Sequence, residues 1–320
     1  MGRYRVRAAA LVAWALLAAA SCSSGQGGND AARYDGPGPF PVGRAEITLE
    51  GIDGGEGRAT AWYPAEGTVA VATASAQVDA DSRVADGPYP LVVFDHGLAA
   101  SPEQYDRMLT HLALWGHLIV APVQVSDSDP VDVAEAVRDR ASEAAAGPLQ
   151  GLVDDGPIVV VGHSAGTTYA ARAAAESAAV DGGEVAGALL LAGGGQGAVG
   201  VAPVAPTLFL AGGRDPVTGQ WMVPGFESAA GPAQLVVIDE AGHLSFTDLC
   251  SSATVTLGPA NCTPDDIDEA DVWPVIDHSV VAFVRAALGS DDGFDALDPG
   301  LLQELAPGAL TSQGTLSASS

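Results

Sequence analysis

The chain has 320 residues, with 40 acidic side chains against 13 basic ones, all arginine, for a formal net charge of −27. No basic stripe exists to neutralise phosphates, which argues against a nucleic-acid partner and against docking on anionic lipid through a polybasic patch. The apolar fraction of 48% is that of a globular chain, and the length suits one large domain or two modest ones.

Arg3, Arg5 and Arg7 precede an apolar run at 8–20 that is too short to span a bilayer comfortably and is followed by small residues. Ala19-Ala20-Ser21-Cys22 resembles a bacterial lipoprotein processing site. The resemblance implies a signal peptide at 1–21, lipid on Cys22, and an extracytoplasmic protein held at the cell membrane by that anchor. The alternative is an ordinary secretory peptide cut near Cys22. Residues 22–43 are rich in Gly, Ser and Pro and read as a flexible tether. With Cys22 lipidated, Cys250 and Cys262 remain, and outside the cytoplasm an even remainder suggests a disulfide.

Residues 45–50 and 58–63 predict a first pair of strands, and 65–87 a surface loop. The apolar run 90–95 reads as a buried strand ending at His96-Gly97. Residues 102–115 have helical spacing, with Ser101 as N-cap and Pro102 at the first helical position. A strand at 117–121, a helix at 130–146, a strand at 157–161 and an alanine-rich helix at 167–179 follow. Strands at 187–192, 207–211 and 234–238 lead to a last clear helix at 273–288. Alternation of this kind predicts an α/β fold, a mostly parallel sheet with helices on both faces, as one catalytic domain over 44–288. Residues 289–320 read as an acidic, partly ordered tail, with one docked helical turn at 299–305.

The strongest local signal is Gly162-His163-Ser164-Ala165-Gly166, a G-x-S-x-G between a strand and a helix, the context a nucleophile elbow requires. A serine hydroxyl needs a base to take its proton. Of six histidines, His96 and His163 sit inside other motifs, and His111, His117 and His278 read as structural. His243 lies in a glycine-containing loop after strand 234–238, where the base falls in the chain order serine, acid, histidine. Asp215, after strand 207–211, is the acid; Asp239 competes but lies only four residues before His243. The backbone N–H groups of Ala165 and Leu98 are the expected oxyanion donors. No metal or other cofactor is expected, because Cys250 and Cys262 lack a paired histidine pattern.

Residues 34–50, 58–64, 88–99, 129–166 and 241–250 together resemble the α/β-hydrolases. The likeness is to the platelet-activating-factor acetylhydrolase-like and dienelactone-hydrolase-like esterases, which border the chlorophyllases and bacterial polyester hydrolases. It covers about residues 34–288 and implies a Ser164–Asp215–His243 triad, with Leu98 and Ala165 donating to the oxyanion. Dienelactone hydrolases proper carry a cysteine where Ser164 stands, and many relatives have a second glycine where Thr167 stands.

These readings predict a monomeric serine hydrolase of carboxylic esters, of small acyl, phospholipid or polyester type, working through an acyl-enzyme. A cell-envelope acyltransferase and a non-catalytic binding protein on the same scaffold are the alternatives. Tyr105, Trp221, Met222, Phe226 and Leu244, with Leu98, are candidates to line an acyl pocket, and each is also a core candidate. No long lid is evident; 216–232 is the cap-like segment, and its shortness favours an open cleft for small or extended substrates.

Overall fold

The computed structural model describes residues 32–52, 55–67, 86–123, 129–143, 147–176, 184–195, 201–250, 261–290 and 293–316. The expected signal peptide, Cys22 and most of the expected 65–87 loop lie outside the described residues. Among the described residues nine strands form one sheet: β1 (Val42–Glu50), β2 (Glu56–Pro64), β3 (Leu91–Asp95), β4 (Leu118–Pro122), β5 (Ile158–His163), β6 (Val185–Leu191), β7 (Thr207–Gly212), β8 (Ala233–Ile238) and β9 (Leu310–Gly314). Their spatial order is β1-β2-β4-β3-β5-β6-β7-β8-β9. The run from β4 to β8 is parallel, β2 is antiparallel to both β1 and β4, and β9 is antiparallel to β8. A mostly parallel sheet is therefore bordered by antiparallel strands at both ends.

Successive side chains of a strand face opposite sides, so each buried strand feeds two cores. Val92, Phe94, Val159, Val161, Leu189, Leu191, Leu208 and Leu210 face one side. There they meet α1 (Asp106–Leu114), α5 (Glu269–Ala287) and α6 (Pro299–Leu305) through Met108, Leu109, Ile276, Val280 and Leu302. Their neighbours Leu91, Val93, Ile158, Val160, Ala188, Leu190 and Phe209 face the other side. That side is covered by α2 (Pro130–Ser142), α3 (Thr167–Glu176) and α4 (Gly219–Ser228) through Val133, Val137, Ala170, Ala174 and Met222. Asp129 caps α2 by accepting from the Val131 N–H, with Pro130 at the first helical position.

Two boundary expectations change. The described part of the expected tether, 32–43, is packed: Tyr34 is buried, its N–H donates to His278 Nδ1, and its carbonyl accepts from His111 Nε2. One buried residue, held through its backbone N–H and carbonyl by histidines of α5 and α1, overrides the Gly/Pro composition around it. The expected tail also carries part of the domain. The helical turn at 299–305 is α6, and beyond it β9 extends the sheet. Strand β9 (LTSQG) is mostly exposed, so its pairing rests on backbone hydrogen bonds that leave no apolar pattern to read. The 216–232 segment holds no cap; its helix α4 lies on the sheet beside β7 and β8.

Candidate active site

Parallel strands β3, β5, β7 and β8 deliver their C-terminal ends to one edge of the sheet, and each ending loop brings a part of the site. At the end of β5, Ser164 has φ +54, in the left-handed region that a non-glycine residue rarely occupies. The turn is closed on both sides. A Cβ on Gly162 would sit 2.5 Å from the Gly166 carbonyl oxygen, and one on Gly166 would sit 2.2 Å from the Asp95 carbonyl oxygen. Only glycine fits at either position.

Strand β8 ends at Ile238, and the following loop carries His243. Its Nε2 lies 3.0 Å from Ser164 Oγ, and its Nδ1 lies 2.9 Å from Asp215 Oδ2. The histidine therefore donates from Nδ1 to the carboxylate and accepts the serine O–H at Nε2. The loop is held by Gly242 N–H donating to Ser245 Oγ and Leu244 N–H donating to the Asn261 carbonyl. Asn261 adjoins the disulfide between Cys250 and Cys262, whose Cα atoms are 5.7 Å apart. Glu269 completes the group of three potential metal ligands found among the described residues, but both sulfurs of that group are spent on the disulfide.

Asp215 follows β7, and its side chain is 1% exposed. Its Oδ1 accepts from the N–H groups of Val217 and Thr218, and its Oδ2 lies 2.5 Å from the Thr218 hydroxyl. Burial pushes this carboxyl up, but the hydrogen bonds from His243 and Thr218 outweigh it and hold the group below the usual carboxylate range. Asp215 is thus ionised beside His243. Thr218 was not singled out from the sequence; the signal was its place three residues after the acid, where its N–H and hydroxyl fold back on the carboxylate.

The loop after β3 turns sharply. The Ala100 N–H donates to the Gly97 carbonyl, and Ala99 has φ +59, the geometry of a type II turn. Gly97 lies against Ser164, for a Cβ placed there would be 3.3 Å from Ser164 Cβ. The Leu98 N–H makes no hydrogen bond among the described residues, and its side chain is 80% exposed. Ala165 lies in the first turn of the 3-10 segment that leads into α3, where N–H groups have no intrahelical acceptor. Beneath this loop Asp95 is buried with Oδ2 unpartnered among the described residues, and burial followed by the charge of Asp129 pushes its carboxyl up to about 8.

The pocket candidates divide. Tyr105 is 1% exposed and hydrogen-bonded under the β3 loop, so it belongs to the support of the site and not to an acyl pocket. Met222 is buried among the residues of the α2–α3 face, and Phe226 packs edge-on against Phe209 on that same side. Leu244 is half-buried in the His243 loop. Trp221, at 40% exposed, and Leu98 are the two candidates that present apolar surface to solvent.

The sheet order and the left-handed serine at the strand–helix turn give this chain the α/β-hydrolase fold, with Ser164, His243 and Asp215 hydrogen-bonded in series at its sheet edge. The Chlorophyllase family model matches residues 69–207, a span that contains the β3 loop and Ser164 and ends before Asp215 and His243. Among solved structures the chain is similar to a ferulic acid esterase from Streptomyces cinnamoneus, with a TM-score of 0.57 and 20% identity over 77% of this chain and 89% of that one. No curated protein matches.

Proposed function

We propose that this α/β-hydrolase cleaves carboxylic esters through an acyl-enzyme on Ser164. The carrying observation is the double engagement of His243, 3.0 Å from Ser164 Oγ on one ring nitrogen and 2.9 Å from Asp215 Oδ2 on the other. Ser164 Oγ attacks the ester carbonyl while its proton passes to His243 Nε2, and the ionised Asp215 stabilises the imidazolium. The N–H groups of Leu98 and Ala165 receive the developing oxyanion. His243 then gives the proton to the leaving alcohol, and a water activated by the same nitrogen releases the acid. The Chlorophyllase-family match and the esterase neighbour support the ester bond as target. The exposed apolar side chains of Leu98, Val217 and Trp221 support an open site for short or extended esters.

The test compares the full-length chain in mild detergent with Ser164→Ala on p-nitrophenyl esters from acetate to palmitate. Wild type hydrolyses the short esters best, and the variant loses roughly 10⁴-fold or more in kcat. Equal inactivity of two folded proteins refutes the reading, and a strong preference for palmitate refutes the open-site part of it. We further infer export and a lipid anchor on Cys22, supported by Arg3, Arg5, Arg7, the apolar run 8–20 and Ala19-Ala20-Ser21-Cys22. Labelled fatty acid enters the wild-type protein in a bacterial host and not Cys22→Ser; equal labelling refutes the anchor.

A further inference from the structure

Two buried side chains outside the triad join the parts of the site. The Gly97 N–H donates to Tyr105 Oη at 3.1 Å, Tyr105 Oη lies 2.8 Å from His163 Nδ1, and His163 Nε2 lies 3.0 Å from the backbone carbonyl of His243. Proton positions along this chain follow from chemistry. A carbonyl only accepts, so His163 carries its proton on Nε2. Its Nδ1 is then a bare acceptor and takes the tyrosine O–H, which leaves the phenol oxygen to accept from Gly97. Every donor meets an acceptor, in one direction only. Tyr105 and His163 are 1% and 2% exposed, so water cannot replace either partner cheaply. Burial, and after it the charge of His243, also hold the His163 ring far below its ordinary range, at about 3, which keeps it in this neutral form.

The chain runs from the loop after β3 to the loop after β8 and passes through the residue that precedes the nucleophile. We propose that Tyr105 and His163 are positioning residues that fix the oxyanion loop and the general base relative to each other across Ser164. The proposal rests on the triad reading above. Neither group reaches the ester; they act through the backbone of Gly97 and of His243. Breaking the Tyr105–His163 bond lets the two loops drift independently, and an error of about 1 Å between reacting groups costs on the order of 10²-fold in rate.

Tyr105→Phe removes the hydroxyl, and His163→Gln keeps a donor for the His243 carbonyl while losing the Nδ1 acceptor, so both variants break the same bond. His163→Asn does the converse, keeping an acceptor for Tyr105 and losing the donor to His243. On p-nitrophenyl butyrate with the full-length chain, each single variant lowers kcat about 10- to 100-fold with KM within about threefold. Inactivation by diethyl p-nitrophenyl phosphate, which needs both base and oxyanion loop, slows in parallel. The double variant Tyr105→Phe/His163→Gln falls no more than about threefold below the weaker single, because one bond is lost once. A kcat within twofold of wild type for Tyr105→Phe, or multiplying losses in the double variant, overturns the proposal. Where Tyr105→Phe does not fold, the two His163 variants decide: activity within twofold of wild type in both overturns it. A folded wild type without esterase activity overturns the triad reading and this proposal together, whereas an active wild type with a dead Ser164→Ala and indifferent Tyr105 and His163 variants overturns this proposal alone.

Discussion

Gly166→Ala tests whether the elbow and the oxyanion loop are one rigid unit. The new methyl would lie 2.2 Å from the Asp95 carbonyl oxygen, a backbone atom that no rotamer change can move, and 3.0 Å from Asp95 Cβ. Ordinary contact needs more than 3 Å, so about 1 Å must open between the two segments. Asp95 is opposite Gly162 at the end of the β3–β5 ladder, and His96, Gly97 and Leu98 follow it directly. The displacement therefore enters the loop that carries the Leu98 N–H. A shift of that size at an oxyanion donor predicts a loss of about 10²-fold in kcat/KM. Overpacking adds about 1–3 kcal/mol of destabilisation, which lowers Tm by several degrees in a domain of this size. The assay is p-nitrophenyl butyrate hydrolysis beside thermal unfolding, with Gly36→Ala as control, since a Cβ at Gly36 meets nothing within 4 Å. A Gly166→Ala protein within threefold of wild-type kcat/KM would refute the reasoning.

Two further predictions concern buried titrating groups. His117 donates from Nδ1 to the Leu112 carbonyl, and burial lowers its ring to about 4. Its contribution to stability is therefore whole above the unfolded value of roughly 6.5 and is lost as pH falls toward 4, at about 1.4 kcal/mol per pH unit. His117→Asn keeps the donor and cannot titrate, so its urea-unfolding free energy drops about 2 kcal/mol less than wild type between pH 6.5 and 4.5; parallel curves would sink the argument. Asp95 works with the opposite sign. Its carboxyl, raised to about 8, is a cost that grows as pH rises from the ordinary carboxylate range. Asp95→Asn should gain on wild type between pH 5 and pH 8 by up to about 4 kcal/mol, and an equal gap at the two pH values would show that the side chain is ionised in the fold.

The grouping of Ser164, Asp215 and His243, the triad proposed above, could be read from the sequence because each member announces itself locally. Gly162-His163-Ser164-Ala165-Gly166 follows an unbroken apolar strand, and Asp215 and His243 each follow another. Sequence separations of 79 between Ser164 and His243 and of 28 between Asp215 and His243 collapse to hydrogen-bond distance because parallel strands end on the same edge. What stayed hidden depends on contacts between distant segments. Tyr105 has the helical spacing of a core or pocket residue, and nothing in that spacing says that its hydroxyl meets Gly97 and His163. Thr218 is one threonine among many until Asp215 folds back on it. Tyr34 and β9 lie in segments whose composition points to solvent, and partners distant in the chain, His278 for Tyr34 and strand β8 for β9, determine their burial and pairing.

The six histidines show why residue type alone could not separate catalysis from support. His96, His111, His117, His163 and His278 each set at least one ring nitrogen against a backbone carbonyl, of Gly97, Tyr34, Leu112, His243 and Ala296 respectively. A carbonyl only accepts, so a ring nitrogen that faces one can serve there only as a donor. His243 differs in kind. Both of its nitrogens face side chains, a carboxylate that gains from a positive ring and a hydroxyl that can surrender a proton. Its backbone carbonyl is held by His163, so the ring is steadied from behind without occupying either nitrogen. A base needs that combination of a fixed backbone and two side-chain partners with opposite proton demands, and in this chain His243 has it where the other five histidines do not.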